Sequence, residues 1–222
     1  MPEQYPNALI FLGIDGSGKS AHAHALRKMF RSKGKRVKYI WMRRIAYSSL
    51  PLLVFSRVLG ITKVRRFKNG KHWISEYPFY AYRPLQFLWP LFQLADSLLH
   101  TALSINLTLL TNPKTIIVVD RGIIDTLVDV TVDAGFPKGY SILESLYVTS
   151  IPKNSYVAVF DIDEKIAMQR KSDIPSIRYL ELRRKLYLSL AKRYNWPVFS
   201  TEADFVQVHK RLLSTIRRNF DC

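Results

Sequence analysis

The 222-residue chain contains a single cysteine, Cys222. No disulfide can form within it and no thiolate zinc cluster can assemble, which predicts a reducing compartment, the cytoplasm. Long apolar runs are also missing. The longest stretch, 45–61, is broken by Pro51 and Arg57 and falls short of the roughly 20 residues that span a bilayer. The first seven residues are polar and carry two prolines, without the basic-then-apolar order of a secretory signal. At 48% hydrophobic and 23% charged, the composition excludes a disordered chain or a coiled coil. A chain of this length buries about 70% of its unfolded surface, so one domain over 1–222 is expected.

Acid is absent from one region. Residues 16–75 hold sixteen Lys or Arg and no Asp or Glu, while the remainder has eighteen basic against seventeen acidic residues. The net charge of +17 is therefore regional. Such a segment is either a solvated basic face or a surface that meets polyanions: nucleotide phosphates, nucleic acid or an anionic membrane, of which the nucleotide is favoured and contact with nucleic acid or a membrane is not.

The residues present alternate between strand and helix patterns. The apolar run 8–12 precedes a glycine loop and a helix with Leu26, Met29 and Phe30 at helical spacing, closed by Gly34. A second strand is expected at 36–41. Residues 45–73 read poorly, with a basic loop over Lys63–Lys71 around the Asn69-Gly70 turn signal. Residues 84–111 read as one or two helices interrupted near Pro90. Buried strands follow at 114–119 and 156–160, the first ending in Asp120-Arg121-Gly122 with a helix to about 134. Helices at 164–171 and 176–193, a strand at 196–200 and a helix at 203–219 complete the chain. Alternation of this kind predicts an α/β fold with a central parallel sheet and helices on both faces, the ligand lying at the carboxyl ends of the strands.

Gly13-Ile14-Asp15-Gly16-Ser17-Gly18-Lys19-Ser20 satisfies G-x-x-x-x-G-K-[ST], a match expected by chance in about 1% of chains this long. It follows a strand and opens a helix, as a phosphate loop must. Glycines let successive N–H groups converge on one anion, and the helix N-terminus adds its positive end. Lys19 is expected on the β- and γ-phosphates of ATP and Ser20 on Mg²⁺. The overlapping G-x-G-x-x-A lacks the acid about 20 residues on that a dinucleotide site requires, since none occurs before Glu76. His22 and His24, two apart on a helix, point to different sides and read as ordinary helix residues.

Asp120 and Arg121 place a carboxylate and a guanidinium at the tip of a second buried strand. If that strand neighbours the first, Asp120 can hold Mg²⁺ water or an acceptor hydroxyl and Arg121 can grip a phosphate. With these residues in view, the sequence resembles the thymidylate kinase family of nucleoside monophosphate kinases. FLGIDGSGKS at 11–20 is similar to that family's F-E-G-x-D-G-x-G-K-[ST], Asp120-Arg121 to its D-R-[YH], and 161–170 (DIDEKIAMQR) to its strand and arginine-bearing lid. The resemblance implies the P-loop kinase fold with a small lid over about 165–180. It implies ATP and Mg²⁺ as cofactors, Gly13 to Ser20 on the donor phosphates, and Thr201 to Ala203 near adenine. Arg170 would act on the transferring phosphate beside the catalytic Lys19, Asp120 and Arg121. Asp15, Arg43, Arg44, Asp96, Arg121 and Asp125 fall to the acceptor side, and the metal to Ser20 and Asp120. A homodimer through 84–111 is a further implication.

Three departures concern the acceptor side: Leu12 for the family's glutamate, Gly122 for its Tyr or His, and Ser97 where an arginine is expected. Arg43 and Arg44 are candidates to replace that arginine. Asp125, Asp129 and Asp133 share one helix face by i,i+4 spacing, read chiefly as a solvated acidic face. The leading expectation is transfer from ATP to a nucleoside monophosphate, with dTMP as first acceptor. The residues also leave open a polynucleotide, sugar or lipid-headgroup acceptor, or a nucleotide-binding module without a small acceptor.

Overall fold

The computed structural model describes residues 6–43, 45–66, 73–136, 141–171 and 173–220. Arg44, Asn69-Gly70 and the Lys68 and Lys71 part of the basic cluster lie outside the described residues. An uninterrupted apolar run suits only a strand covered on both sides. Ala8–Leu12 (β1) is one, every residue of it buried. It leads through the phosphate loop into α1 (Lys19–Ser32), then β2 (Val37–Trp41) and α2 (Leu50–Val58). An antiparallel pair follows, β3 (Lys63–Arg66) with β4 (Trp73–Glu76), and then α3 (Arg83–Thr101). A π-helical turn, Ala102–Asn106, joins α3 to α4 (Leu107–Thr111). The chain continues through β5 (Ile116–Asp120), α5 (Ile123–Asp133), α6 (Ser141–Thr149), β6 (Ser155–Asp161), α7 (Glu164–Arg170) and α8 (Ile177–Arg193). It closes with β7 (Val198–Ser200) and α9 (Phe205–Phe220).

Five strands pair in parallel in the order β2-β5-β1-β6-β7. Successive side chains of a strand point to opposite faces, so two cores form. Leu9 and Phe11 of β1, with Val118 and Phe160, pack under α1 and α9 through Leu26, Phe30 and Leu212. Ile10 and Leu12, with Val119 and Val159, pack against α5 and α8 through Leu127 and Leu180. The sheet is thus covered by helices on both sides. β1 lies between β5 and β6, and at its carboxyl end the chain leaves to opposite sides of the sheet, which is where such folds bind ligands. The register aligns Phe11 with Asp120, so the two signature segments are neighbours.

Three expectations are corrected. Pro90 does not interrupt the helix: α3 runs unbroken over Arg83–Thr101, and the irregularity falls at 102–106. A mid-helix proline costs about 3 kcal/mol. Burial of Leu85, Trp89 and Leu94, each worth about 1.5–3 kcal/mol, outweighs it. Lys63–Arg66 is a strand rather than a loop because 73–76 offers a β-branched and aromatic partner with which to pair.

The acidic face of α5 is not solvated. Asp125, Asp129 and Asp133 are all buried. Asp125 accepts hydrogen bonds from the Tyr187 hydroxyl (2.7 Å) and the Gly122 N–H (2.8 Å). Asp129 pairs with Arg183 Nε at 2.8 Å, and Asp133 lies 3.7 Å from the same guanidinium. A helix face cannot be called solvated from its own spacing; α8 covers this one. Arg183→Met takes from two buried carboxylates the guanidinium they share and is expected to lower stability by about 3–5 kcal/mol, read from urea unfolding. A loss under about 1 kcal/mol would show the pair to be dispensable.

Candidate active site

The phosphate loop takes its shape from its glycines. Gly13, Gly16 and Gly18 have φ of 140°, 84° and 76°. A Cβ at Gly13 would sit 2.3 Å from the Phe160 carbonyl oxygen, and one at Gly16 2.7 Å from that of Ala167, so the loop is pressed between β6 and α7. α1 begins at Gly18 with no side-chain cap, leaving its first N–H groups to face an anion. Lys19 is buried and its ammonium donates to the Ile14 carbonyl at 2.9 Å. Burial, reinforced by Arg121, lowers its pKa to about 7.

Asp15 stands at the centre of a cluster of cations. It pairs with Arg121, with Arg43 at 3.4 Å and with Lys171 at 3.3 Å. Burial alone would raise this carboxyl; the cations, Arg121 foremost, outweigh it and hold the group well below the usual carboxylate range. Arg121 has a left-handed backbone, φ 66°, where it pairs with Asp15. A non-glycine residue pays about 1–2 kcal/mol for that conformation, and the ion pair offsets it. Arg121 also approaches Asp125 at 3.7 Å. Arg43 donates to the Tyr179 hydroxyl at 2.8 Å and lies 3.8 Å from Asp129. Tyr179 in turn stacks on Arg183, whose guanidinium carbon is 3.6 Å from the ring centroid.

Two clefts meet here. One of about 470 Å³ is lined by Gly16, Gly18, Lys19, Ser20, Arg121 and Arg170. The other, about 620 Å³, runs past Tyr77, Tyr179, Arg178 and Arg183. Asp15, Arg43 and Lys171 line both. Beside them, Asp120 accepts a hydrogen bond from the Tyr39 hydroxyl at 2.7 Å on one oxygen, while its other oxygen is buried without a partner.

Among the other residues singled out from the sequence, Arg170 spans from the first cleft to the Thr201 carbonyl at 3.0 Å. Thr201 is itself held by the Asp161 carbonyl, and Ala203 is exposed just before α9. Asp96 takes a different place. Its two oxygens accept five hydrogen bonds from Tyr47, Ser48 and Ser49, fixing the entry to α2. His22 and His24 diverge, the first stacking on Phe160 and Phe205 and the second on Tyr39. Burial and the neighbouring His209 lower the pKa of His22 to about 4, so it is neutral. The sequence reading missed Lys171, Tyr179 and Arg183. Lys171 directly follows the arginine it did identify, and Tyr179 and Arg183 are one i,i+4 pair; only the fold brings them to Asp15.

With this geometry in view, a solved structure of a thymidylate kinase from Ehrlichia chaffeensis is similar, with a TM-score of 0.57 and 18% identity over 94% of this chain and 97% of that one. No protein-family model and no curated protein matches the sequence. The chain has a thymidylate-kinase-like P-loop kinase fold. In this fold the phosphate loop, β5 tip and α7 converge at the carboxyl end of the sheet, which is the arrangement described above.

Lys19 supplies a test of the loop. At pH 8 a group of pKa about 7 is mostly neutral, and a polyphosphate beside it restores the proton. ATP binding at pH 8 is therefore expected to take up close to one proton, read by calorimetry in buffers of different ionisation enthalpy, and Lys19→Met should abolish the uptake. Uptake unchanged in the variant would assign the proton to another group.

Proposed function

We propose that this protein is a nucleotide kinase that moves the γ-phosphoryl group of ATP to a nucleoside monophosphate, with dTMP the first acceptor to test. The observation that carries the reading is the junction of two clefts at Asp15, Arg43 and Lys171. One cleft has a phosphate loop as its floor, and the other presents arginines and tyrosines suited to a phosphate and a ring. The likeness of fold to a thymidylate kinase supports it further.

In this reading the loop amides and Lys19 hold the donor phosphates, and Arg170 reaches the transferring group from α7. The segment 165–180 serves as the lid. Arg43, Arg121 and Lys171 hold the acceptor phosphate in line with the donor. Phosphoryl transfer needs little covalent chemistry, and preorganised positive charge together with in-line placement supplies most of the acceleration. Ser20 and Asp120 are the residues that would hold Mg²⁺, and the unpartnered buried oxygen of Asp120 fits a carboxylate kept for such a role. When bound with ATP, the metal would neutralise charge on the β- and γ-phosphates. Asp120 otherwise positions the acceptor hydroxyl or water.

The three departures from the family pattern point inward. Leu12 is fully buried in the core, Ser97 is buried in α3, and a Cβ on Gly122 would come within 3.1 Å of Ile10. Acceptor contacts then rest on the second cleft's own residues, so turnover is expected to discriminate poorly among pyrimidine monophosphates. ADP production measured across nucleoside monophosphates tests this directly. Lys19→Ala should lower turnover by about 10²-fold or more. Arg121→Lys, which keeps the charge but loses the fork, should slow transfer more than it weakens ATP binding. If no monophosphate stimulates ADP release, or if folded Lys19→Ala retains full turnover, the reading fails.

A further inference from the structure

We propose that this protein also takes as acceptor a phosphate monoester with a long aliphatic chain, the phosphate lying at Arg43 and Lys171 and the chain in a cavity behind them. The inference rests on the reading of the second cleft as the acceptor's place and adds a class of acceptor to it. Beyond that cleft, α5, α6 and α8 border a further cavity of about 920 Å³. Tyr80, Val132, Arg178 and Leu182 line both, so the two spaces adjoin at these residues. A molecule whose phosphate is held beside Asp15 can therefore extend into the cavity when it is long enough.

The walls indicate what enters. Leu127 of α5 and Phe136 just beyond it face Leu186 and Leu190 of α8 across the space. Tyr179, Leu182, Leu186 and Leu190 follow at three- and four-residue steps and so share one side of α8. Tyr179, at one end of this row, accepts the hydrogen bond of Arg43 at 2.8 Å. Leu190 lies about 16 Å further along the helix axis at 1.5 Å per residue. The row thus leads from the phosphate end of the cleft into the apolar cavity.

Glu144, a carboxylate on the cavity wall, is already met by Arg193 and by the Tyr194 hydroxyl (2.9 Å). A sugar or base among these leucines would leave its polar groups without partners, a cost that an aliphatic chain does not carry. None of the described lining residues belongs to 84–111, the stretch ascribed above to a homodimer. In the transfer, an oxygen of the monoester phosphate attacks the γ-phosphorus of ATP. The bond from that phosphorus to the β–γ bridging oxygen breaks, ADP leaves with the electron pair, and the chain's diphosphate ester forms. With a second pKa of about 6, the acceptor phosphate is largely dianionic above neutral pH, so no proton has to be removed.

Decyl phosphate, kept below the concentration at which it forms micelles, is the probe, with ethyl phosphate as its short counterpart. Full burial of one methylene raises affinity about fourfold, so decyl phosphate is expected to bind at least about a hundredfold more tightly in calorimetry without ATP, and to stimulate ADP release with ATP. Leu186 is half-buried and Ser189 exposed; both line the cavity and neither lines the two clefts. Leu186→Trp and Ser189→Trp, which fill the cavity, should each weaken decyl phosphate binding at least about tenfold and leave ADP release with nucleoside monophosphates unchanged. Ser189→Trp decides should Leu186→Trp fail to fold. Equal binding of the two alkyl phosphates, or full decyl phosphate binding by every folded variant, overturns the proposal. ADP release stimulated by nucleoside monophosphates but not by decyl phosphate overturns it and leaves the kinase reading standing, whereas release stimulated by neither overturns both. A dimer broken by Ser189→Trp, without decyl phosphate binding, assigns the cavity to a second copy and overturns it as well.

Discussion

The ion pair between Asp15 and Arg121 is the contact on which the site depends. Lys19, Arg43, Arg121 and Lys171 come from four different parts of the chain: the start of α1, the end of β2, the tip of β5 and the end of α7. Brought into one cleft without an anion, they would repel one another. Asp15 supplies that anion, and it does so from inside the phosphate loop, so the loop's conformation and the positions of the cations are set together. Arg121 holds a left-handed backbone at this point, and its guanidinium pairs with Asp15. Asp15, Lys19 and Arg121 are buried, so the charges at the centre of the cluster are screened less than those of Arg43 and Lys171 at its rim.

A second layer of buried charge supports the first. Arg183 is fixed by Asp129 and stacked by Tyr179, and Tyr179 accepts the hydrogen bond that steers Arg43 toward Asp15. The carboxylates of α5 therefore act at one remove from the clefts, orienting the arginine and tyrosine that line them. Asp125 belongs to the same layer: burial raises its carboxyl against the pull of Arg121, and the Tyr187 hydroxyl and Gly122 amide occupy its two oxygens. Breaking such a layer costs more than the pairs contribute, because the partner left behind stays buried and charged.

These two layers show what was legible in the sequence. The shape of the glycine loop at 13–20 could be read because it is local: eight consecutive residues carry both the three positive-φ glycines and the lysine. The place of Asp120 beside that loop could be read conditionally, and the pairing of β1 with β5 met the condition. The acidic face of α5 could be located by its spacing but not interpreted, since its partner Arg183 lies 54 residues further on and no local pattern shows which helix covers which. The same limit hid Lys171 and Tyr179. Pro90 was misread for a related reason: the intrinsic cost was weighed without the burial of Trp89 beside it. Local rules fail here where tertiary packing supplies the larger energy.

The excess of positive charge divides along the same line. Cations inside the site are matched by carboxylates: Arg121, Arg43 and Lys171 by Asp15, and Arg183 by Asp129 and Asp133. They contribute little to the net charge, because these four cations lie against three carboxylates. Residues 16–119 carry +16 of the net +17, eighteen basic residues against two acids, and many of the exposed positions along α2, α3 and α4 are apolar. A solubility role does not account for those positions, because solubility would favour polar residues over Val58 and Leu110. Site and surface are therefore separate constraints on the chain: the buried cations of the site are set against carboxylates, whereas the excess of basic residues lies in 16–119.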